Sequence, residues 1–108
     1  MITVKLTKGP GRLCLGVDGH AGAGVWGKDI VCAAVSILTY PAAARTRQLC
    51  QDGYLQEKPY IRLTPGRARI IMENCPQTRQ LLDVVSTGFD LLALRYPQYV
   101  QCKRKDRL

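Results

Sequence analysis

Apolar and polar residues alternate strictly at the start of the chain. Ile2, Val4 and Leu6 alternate with Thr3, Lys5 and Thr7, and Leu13, Leu15 and Val17 with Cys14, Gly16 and Asp18. A period of two is that of a strand with one face on a core. Gly9-Pro10-Gly11 lies between the runs, so residues 2–18 read as a β-hairpin. Residues 30–38 are almost all apolar, which predicts a helix buried on most sides. Asp29 stands where an N-cap is needed, its carboxylate able to accept backbone N–H bonds. Tyr40-Pro41 interrupts the run and predicts a kink or a break, with residues 42–49 as a second helical piece ended by Asp52-Gly53.

The second half repeats the scheme. Residues 54–63 read as a third strand weakened by Pro59, Thr64-Pro65-Gly66 as a turn, and residues 68–73 as a fourth strand. Asn74, Cys75 and Pro76 mark the start of a second long helix. Its apolar stripe is Leu81, Val85, Phe89, Leu92 and Tyr96, at helical spacing. Gly88 inside it costs roughly 1 kcal/mol relative to alanine, which points to close packing there. Pro97 stops the helix, and residues 99–103 form a short last strand. The expected fold is therefore α/β (α+β): one domain over residues 1–108, in the order ββαββαβ, with two main helices against a mixed sheet.

Composition changes this picture in three ways. The chain has 108 residues, too few for a second core, and 46% of them are hydrophobic, too many for a disordered chain. The net charge of +8 favours anionic surroundings, nucleic acid above all, with a merely solvated basic surface as the plain alternative. Part of the excess sits in residues 103–108, a candidate mobile basic tail. The five cysteines are odd in number and form no C-x-x-C pair, which argues against a disulfide framework and a zinc site. Free thiols point to a cytoplasmic protein, and the lack of an N-terminal apolar run or of ~18 consecutive apolar residues argues against a leader or a membrane span. No cofactor or metal is expected.

The candidate chemistry lies in residues 20–36. They hold the only histidine, His20, three glycines (Gly22, Gly24, Gly27) around the only tryptophan, Trp26, and then Asp29, Cys32 and Ser36. Of a cysteine's two protonation states only the thiolate is the nucleophile, and the positive end of a helix favours that form. With Asp29 as cap, Cys32 is the third helical residue, beside unpaired N–H groups that can hold an oxyanion. The glycine loop lets His20 fold back to take the thiol proton and return it to the leaving amine. Asp18 and Asp29 are candidate carboxylates to orient His20. Ser36 lies one turn beyond Cys32 on the same face. Each residue also has a plainer role: Cys32 as a core thiol, His20 as a structural histidine, Asp29 as a cap only, and Ser36 bonded within its helix. Cys14, Cys50, Cys75 and Cys102 read as packing residues.

Gly22-x-Gly24-x-x-Gly27 also matches the spacing of a dinucleotide fingerprint. The strand before it is half polar, and no acidic residue closes a strand about 20 residues later, so that match is weak.

The run G-H-A, a glycine-rich spacer and G-K-D-I-V-C-A-A-V-S, with the ending R-Y-P-Q-Y-V at residues 95–100, resembles the ribosomal-processing cysteine proteases of Firmicutes and related bacteria. The resemblance implies a ββαββαβ domain, usually a homodimer. It implies an endopeptidase that removes a short N-terminal extension from a large-subunit ribosomal protein precursor, cutting after a hydrophobic, phenylalanine-containing sequence. By position, His20 resembles the catalytic base, Cys32 the nucleophile, and Asp29 and Ser36 supporting residues. Gly22, Gly24, Trp26 and Gly27 match the substrate-closing loop; apart from the resemblance, a tryptophan there is expected to line a pocket for hydrophobic substrate residues. Three features depart from the family pattern: the basic charge, the Pro41-Ala42-Ala43-Ala44 run, and residues 64–75. The rival expectation is a non-catalytic basic module that binds RNA or the ribosome, and a weak RNA contact is compatible with either.

Overall fold

The structure is a computed structural model that describes residues 1–19 and 26–106. Its elements are β1 (Ile2–Lys8), β2 (Arg12–Asp18), α1 (Trp26–Gln51), β3 (Tyr60–Thr64), β4 (Arg67–Glu73), α2 (Pro76–Arg95) and β5 (Val100–Asp106). The order is ββαββαβ, as the sequence predicts, and the strands form one mixed sheet in the order β3-β4-β2-β1-β5. All neighbours are antiparallel except β1 and β5.

The topology puts both helices on one face. The connections β2–α1–β3 and β4–α2–β5 each join strands that run the same way. The first passes over one strand and the second over two, toward opposite edges and in opposite strand directions, so right-handed crossovers place α1 and α2 on the same side. The alternating strand residues meet them there. Val4, Leu13, Leu15 and Ile70 are fully buried, with Phe89 and Leu82 of α2 and Val31 of α1 in the same cluster. β2 is antiparallel to both its neighbours, which rules out a dinucleotide-binding crossover at the glycine pattern.

Several expectations need correction. Pro41 does not break α1, which runs unbroken from Trp26 to Gln51. Pro41 leaves the Ile37 carbonyl without its helical donor. Both residues lie on the exposed side of the helix, where water can bond that oxygen. Two buried hydroxyls in the same stretch are satisfied within the helix: Thr39 donates to the Val35 carbonyl and Thr46 to the Ala42 carbonyl, each at 2.7 Å. Nor is α1 buried on most sides, since the helix layer is one deep. Ile30 and Ile37 are 59% and 69% exposed.

β3 is shorter than expected and begins only at Tyr60. Ahead of it, Leu55 is buried, and the Glu73 carboxylate accepts the N–H groups of Gln56 (2.8 Å) and Glu57 (3.0 Å), so a side chain takes donors that a strand partner would need. β5 is longer than expected. Lys103, Arg104 and Lys105 belong to it, paired in parallel with Lys5, Leu6 and Thr7, so the expected basic tail is strand as far as Asp106. Charge on an edge strand also discourages further strand addition.

Gly88 meets its expectation. A Cβ there would lie 2.6 Å from Cδ2 of Leu38, so glycine is what lets α1 and α2 touch. Cys75 is more than packing. It takes the N-cap position of α2 and donates its N–H to the Thr78 hydroxyl oxygen at 3.0 Å, while that hydroxyl donates to the Glu73 carbonyl at 2.7 Å.

Candidate active site

Cys32 is half-buried on α1 and lines a cleft of about 260 Å³. One wall is a stripe of α1: Cys32, Ser36 and Tyr40 succeed one another a turn apart, with Val35 and Thr39 beside them. The facing wall is the β3–β4 turn, from Leu63 through Pro65 and Gly66 to Arg67. Gly19 completes the mouth. Its N–H donates to the Gly66 carbonyl at 2.9 Å, and its φ of 105° lies in the region that favours glycine. The backbone that continues into residue 20 therefore leaves β2 at the rim of the cleft that holds the Cys32 side chain.

The cleft is largely apolar. Val35, Leu63 and Ala68 surround a space of side-chain size, and Arg67 at the turn is the only charged group among the described residues that line it. A thiol and a serine hydroxyl one turn apart face this space. No group of metal-ligating side chains occurs among the described residues.

His20, Gly22 and Gly24 lie outside the described residues. Asp29 is not the N-cap of α1, because the helix has already begun at Trp26. Trp26 and Gly27 thus belong to α1 and not to a loop. A glycine in the first turn of a helix costs only about 1 kcal/mol, which a 26-residue helix absorbs. Cys32 is accordingly in the second turn, not the third helical position, and the unpaired N–H groups belong to the turn before it. Helical side chains lean toward the N-terminus, so the sulfur still points back over that turn. Asp18, expected beside His20, is held on the helix-free face of the sheet. Arg69 Nη2 donates to its Oδ2 at 2.8 Å and Arg67 Nε stands 3.8 Å from Oδ1. The Arg69 hydrogen bond holds the Asp18 carboxyl below its usual range.

Burial pushes the Cys14 and Cys102 thiols up, with Asp90 adding to the effect at Cys102. The Cys102 Sγ donates to the Phe89 carbonyl at 3.4 Å. Sequence reasoning found Cys32 and Ser36 but missed Tyr40, Leu63 and Arg67 as cleft walls. Those residues come together only because α1 packs over the end of the β3–β4 hairpin.

Comparison with known proteins accords with this geometry. SMU.848 from Streptococcus mutans is 24% identical, with TM-score 0.73, over 99% of this chain and 96% of that one. An essential ribosomal processing protease Prp from S. aureus, in complex with a covalently linked product peptide, is 25% identical, with TM-score 0.73, over 97% of this chain and all (100%) of that one. The S. aureus protease with a substrate peptide is 23% identical, with TM-score 0.74, over 97% and 100%. No curated protein matches the chain significantly. The sequence profile of the cysteine protease Prp family matches residues 1–101, and the chain belongs to that family of peptidases.

Proposed function

We propose that this protein is a cytoplasmic endopeptidase that removes a short N-terminal extension from a ribosomal protein precursor, with Cys32 as nucleophile and His20 as base. The Cys32 thiolate adds to the scissile carbonyl carbon. The carbon–nitrogen bond then breaks as the imidazolium of His20 gives its proton to the departing amine. Water, deprotonated by His20, hydrolyses the thioester and frees the thiol. Ser36 and Asp29 support the site, and the segment containing Gly22 and Gly24 closes over the peptide. A homodimer is part of this reading, as the family resemblance implies.

The observation that carries the reading is the shared cleft. Cys32 of α1 and Gly19, the residue before His20, line the same space. Its apolar walls suit a hydrophobic side chain next to the scissile bond. A related S. aureus protease is in complex with a covalently linked product peptide, and a thiol nucleophile works through a covalent intermediate.

The test is a peptide that carries a hydrophobic, phenylalanine-containing extension, followed by mass spectrometry. The wild-type chain cuts it once. Cys32→Ala and His20→Ala each lower the rate by about a thousandfold or more while the circular dichroism spectrum is unchanged. Iodoacetamide inactivates the enzyme through Cys32 and leaves Cys14 and Cys102 largely unlabelled. Undiminished cleavage by Cys32→Ala removes this mechanism.

A further inference from the structure

The helix-free face of the sheet carries a row of cations that the peptidase chemistry does not use. The registers set Arg62 opposite Arg69, Arg69 opposite Gly16, Gly16 opposite Lys5, and Lys5 opposite Lys103. One line perpendicular to the strands thus crosses the sheet with four cationic side chains and one glycine. With strands about 4.8 Å apart, it spans roughly 19 Å. Lys105 and Arg67 flank it in the adjacent rows. Gly16 is part of the arrangement: a Cβ there would lie 3.1 Å from Arg69 Nη1, so its absence lets that guanidinium lie flat on the sheet.

The carboxylates of this face are already engaged. Asp18 is taken by Arg69 and Arg67, and Glu73 by the two N–H groups ahead of β3. Lys5, Arg62 and Lys103 form no ion pair among the described residues. Like charges directly opposite one another weaken a sheet. The chain nonetheless sets Arg62 against Arg69 and Lys5 against Lys103.

A polyanion laid across the strands neutralises such a row. An anionic lipid surface would also need apolar anchors among the cations, but Ile30, Ile37, Leu91 and Leu94 are exposed on the helical side instead. The cationic face offers one exposed ring, Tyr60, at the end of the neighbouring row beside Ile71. A ring beside a basic track is how bases stack while their phosphates are held.

We propose that Lys5, Arg62 and Lys103 of this row bind the phosphate backbone of single-stranded nucleic acid, with Tyr60 stacking a base. This surface is separate from the Cys32 cleft, so it neither needs nor weakens the peptidase reading.

The test is fluorescence anisotropy of labelled oligouridine and oligothymidine of about 12 nucleotides, titrated with the full chain. Wild-type binding should weaken roughly tenfold or more between about 50 and about 200 mM KCl. The triple variant Lys5→Glu/Arg62→Glu/Lys103→Glu should lose at least about thirtyfold in affinity and lower the salt slope by about 2. Arg45→Glu/Arg47→Glu/Arg95→Glu carries the same change of charge on the helices and should bind like wild type. Tyr60→Ala should bind more weakly with the salt slope unchanged. The oligouridine and oligothymidine arms tell RNA from DNA. Absence of oligonucleotide binding, equal losses in both triple variants, or binding only to phosphatidylglycerol vesicles each overturn the proposal. Peptide cleavage by the face variant stays at the wild-type rate, which keeps the two readings apart.

Discussion

Gly19 donates its backbone N–H to the Gly66 carbonyl, and this 2.9 Å bond fastens the end of β2 to the β3–β4 turn. The bond joins two rims of the cleft. Gly19 has φ 105°, and a Cβ there would run into the Met1 carbonyl oxygen. Both the dihedral and the backbone contact exclude other residues.

Gly19→Ala should therefore cost about 2–3 kcal/mol of stability, through strain at a positive φ and a contact that only backbone movement relieves. Urea unfolding measures it. Peptide cleavage should fall by more than the folded fraction does, because the rim of the cleft moves. An alanine variant as stable as wild type would show that this rim is not fixed by Gly19.

Gly88 tests the helix layer in a graded way. Gly88→Ala gains about 1 kcal/mol of helix propensity but meets Leu38 Cδ2 at 2.6 Å, a flexible side-chain end that can turn aside, so the net change should be within about 1 kcal/mol. Gly88→Ile adds bulk that Leu38 cannot clear and should cost about 2–3 kcal/mol. Thermal unfolding of the two variants separates them; equal melting temperatures would mean α1 and α2 do not pack tightly here.

Acid should weaken the sheet through Asp18. Its pKa is lowered in the folded chain, first by the Arg69 hydrogen bond, so its contribution is present above the unfolded-state value and lost as pH falls through the folded one. The window thus lies at and below about pH 4. The pair is exposed enough that its worth should stay at or under about 1 kcal/mol. Asp18→Asn should lower stability at pH 7 and flatten that part of the acid profile. Chemical denaturation from pH 7 down to pH 3 reads both effects, and an unchanged profile would remove Asp18 as their source.

Much of the fold was legible because its signals are local. Strict alternation in residues 2–18 needs only a neighbour on one side, and that face is the buried one. The stripe on α2 and the glycine within it likewise foretold where a second helix comes close. What misled were signals whose meaning depends on distant partners. Asp29 has the chemistry of a cap, yet the helix has already begun three residues earlier, at Trp26. Of the candidate site, the sequence marked Cys32 and Ser36 as one face of a helix. It could not mark Leu63, Pro65 or Arg67, which join that face only across the end of the sheet.

The residues alone determined the alternation of buried and solvated positions, the order of elements and the family motif, since each follows from neighbours within a few positions. Tertiary structure decided whether Pro41 ends a helix, how far β5 extends, and which cations share a row. A freed carbonyl costs little when it faces water, and a strand's length and lateral neighbours are set by the strands hydrogen-bonded to it, which no local pattern encodes.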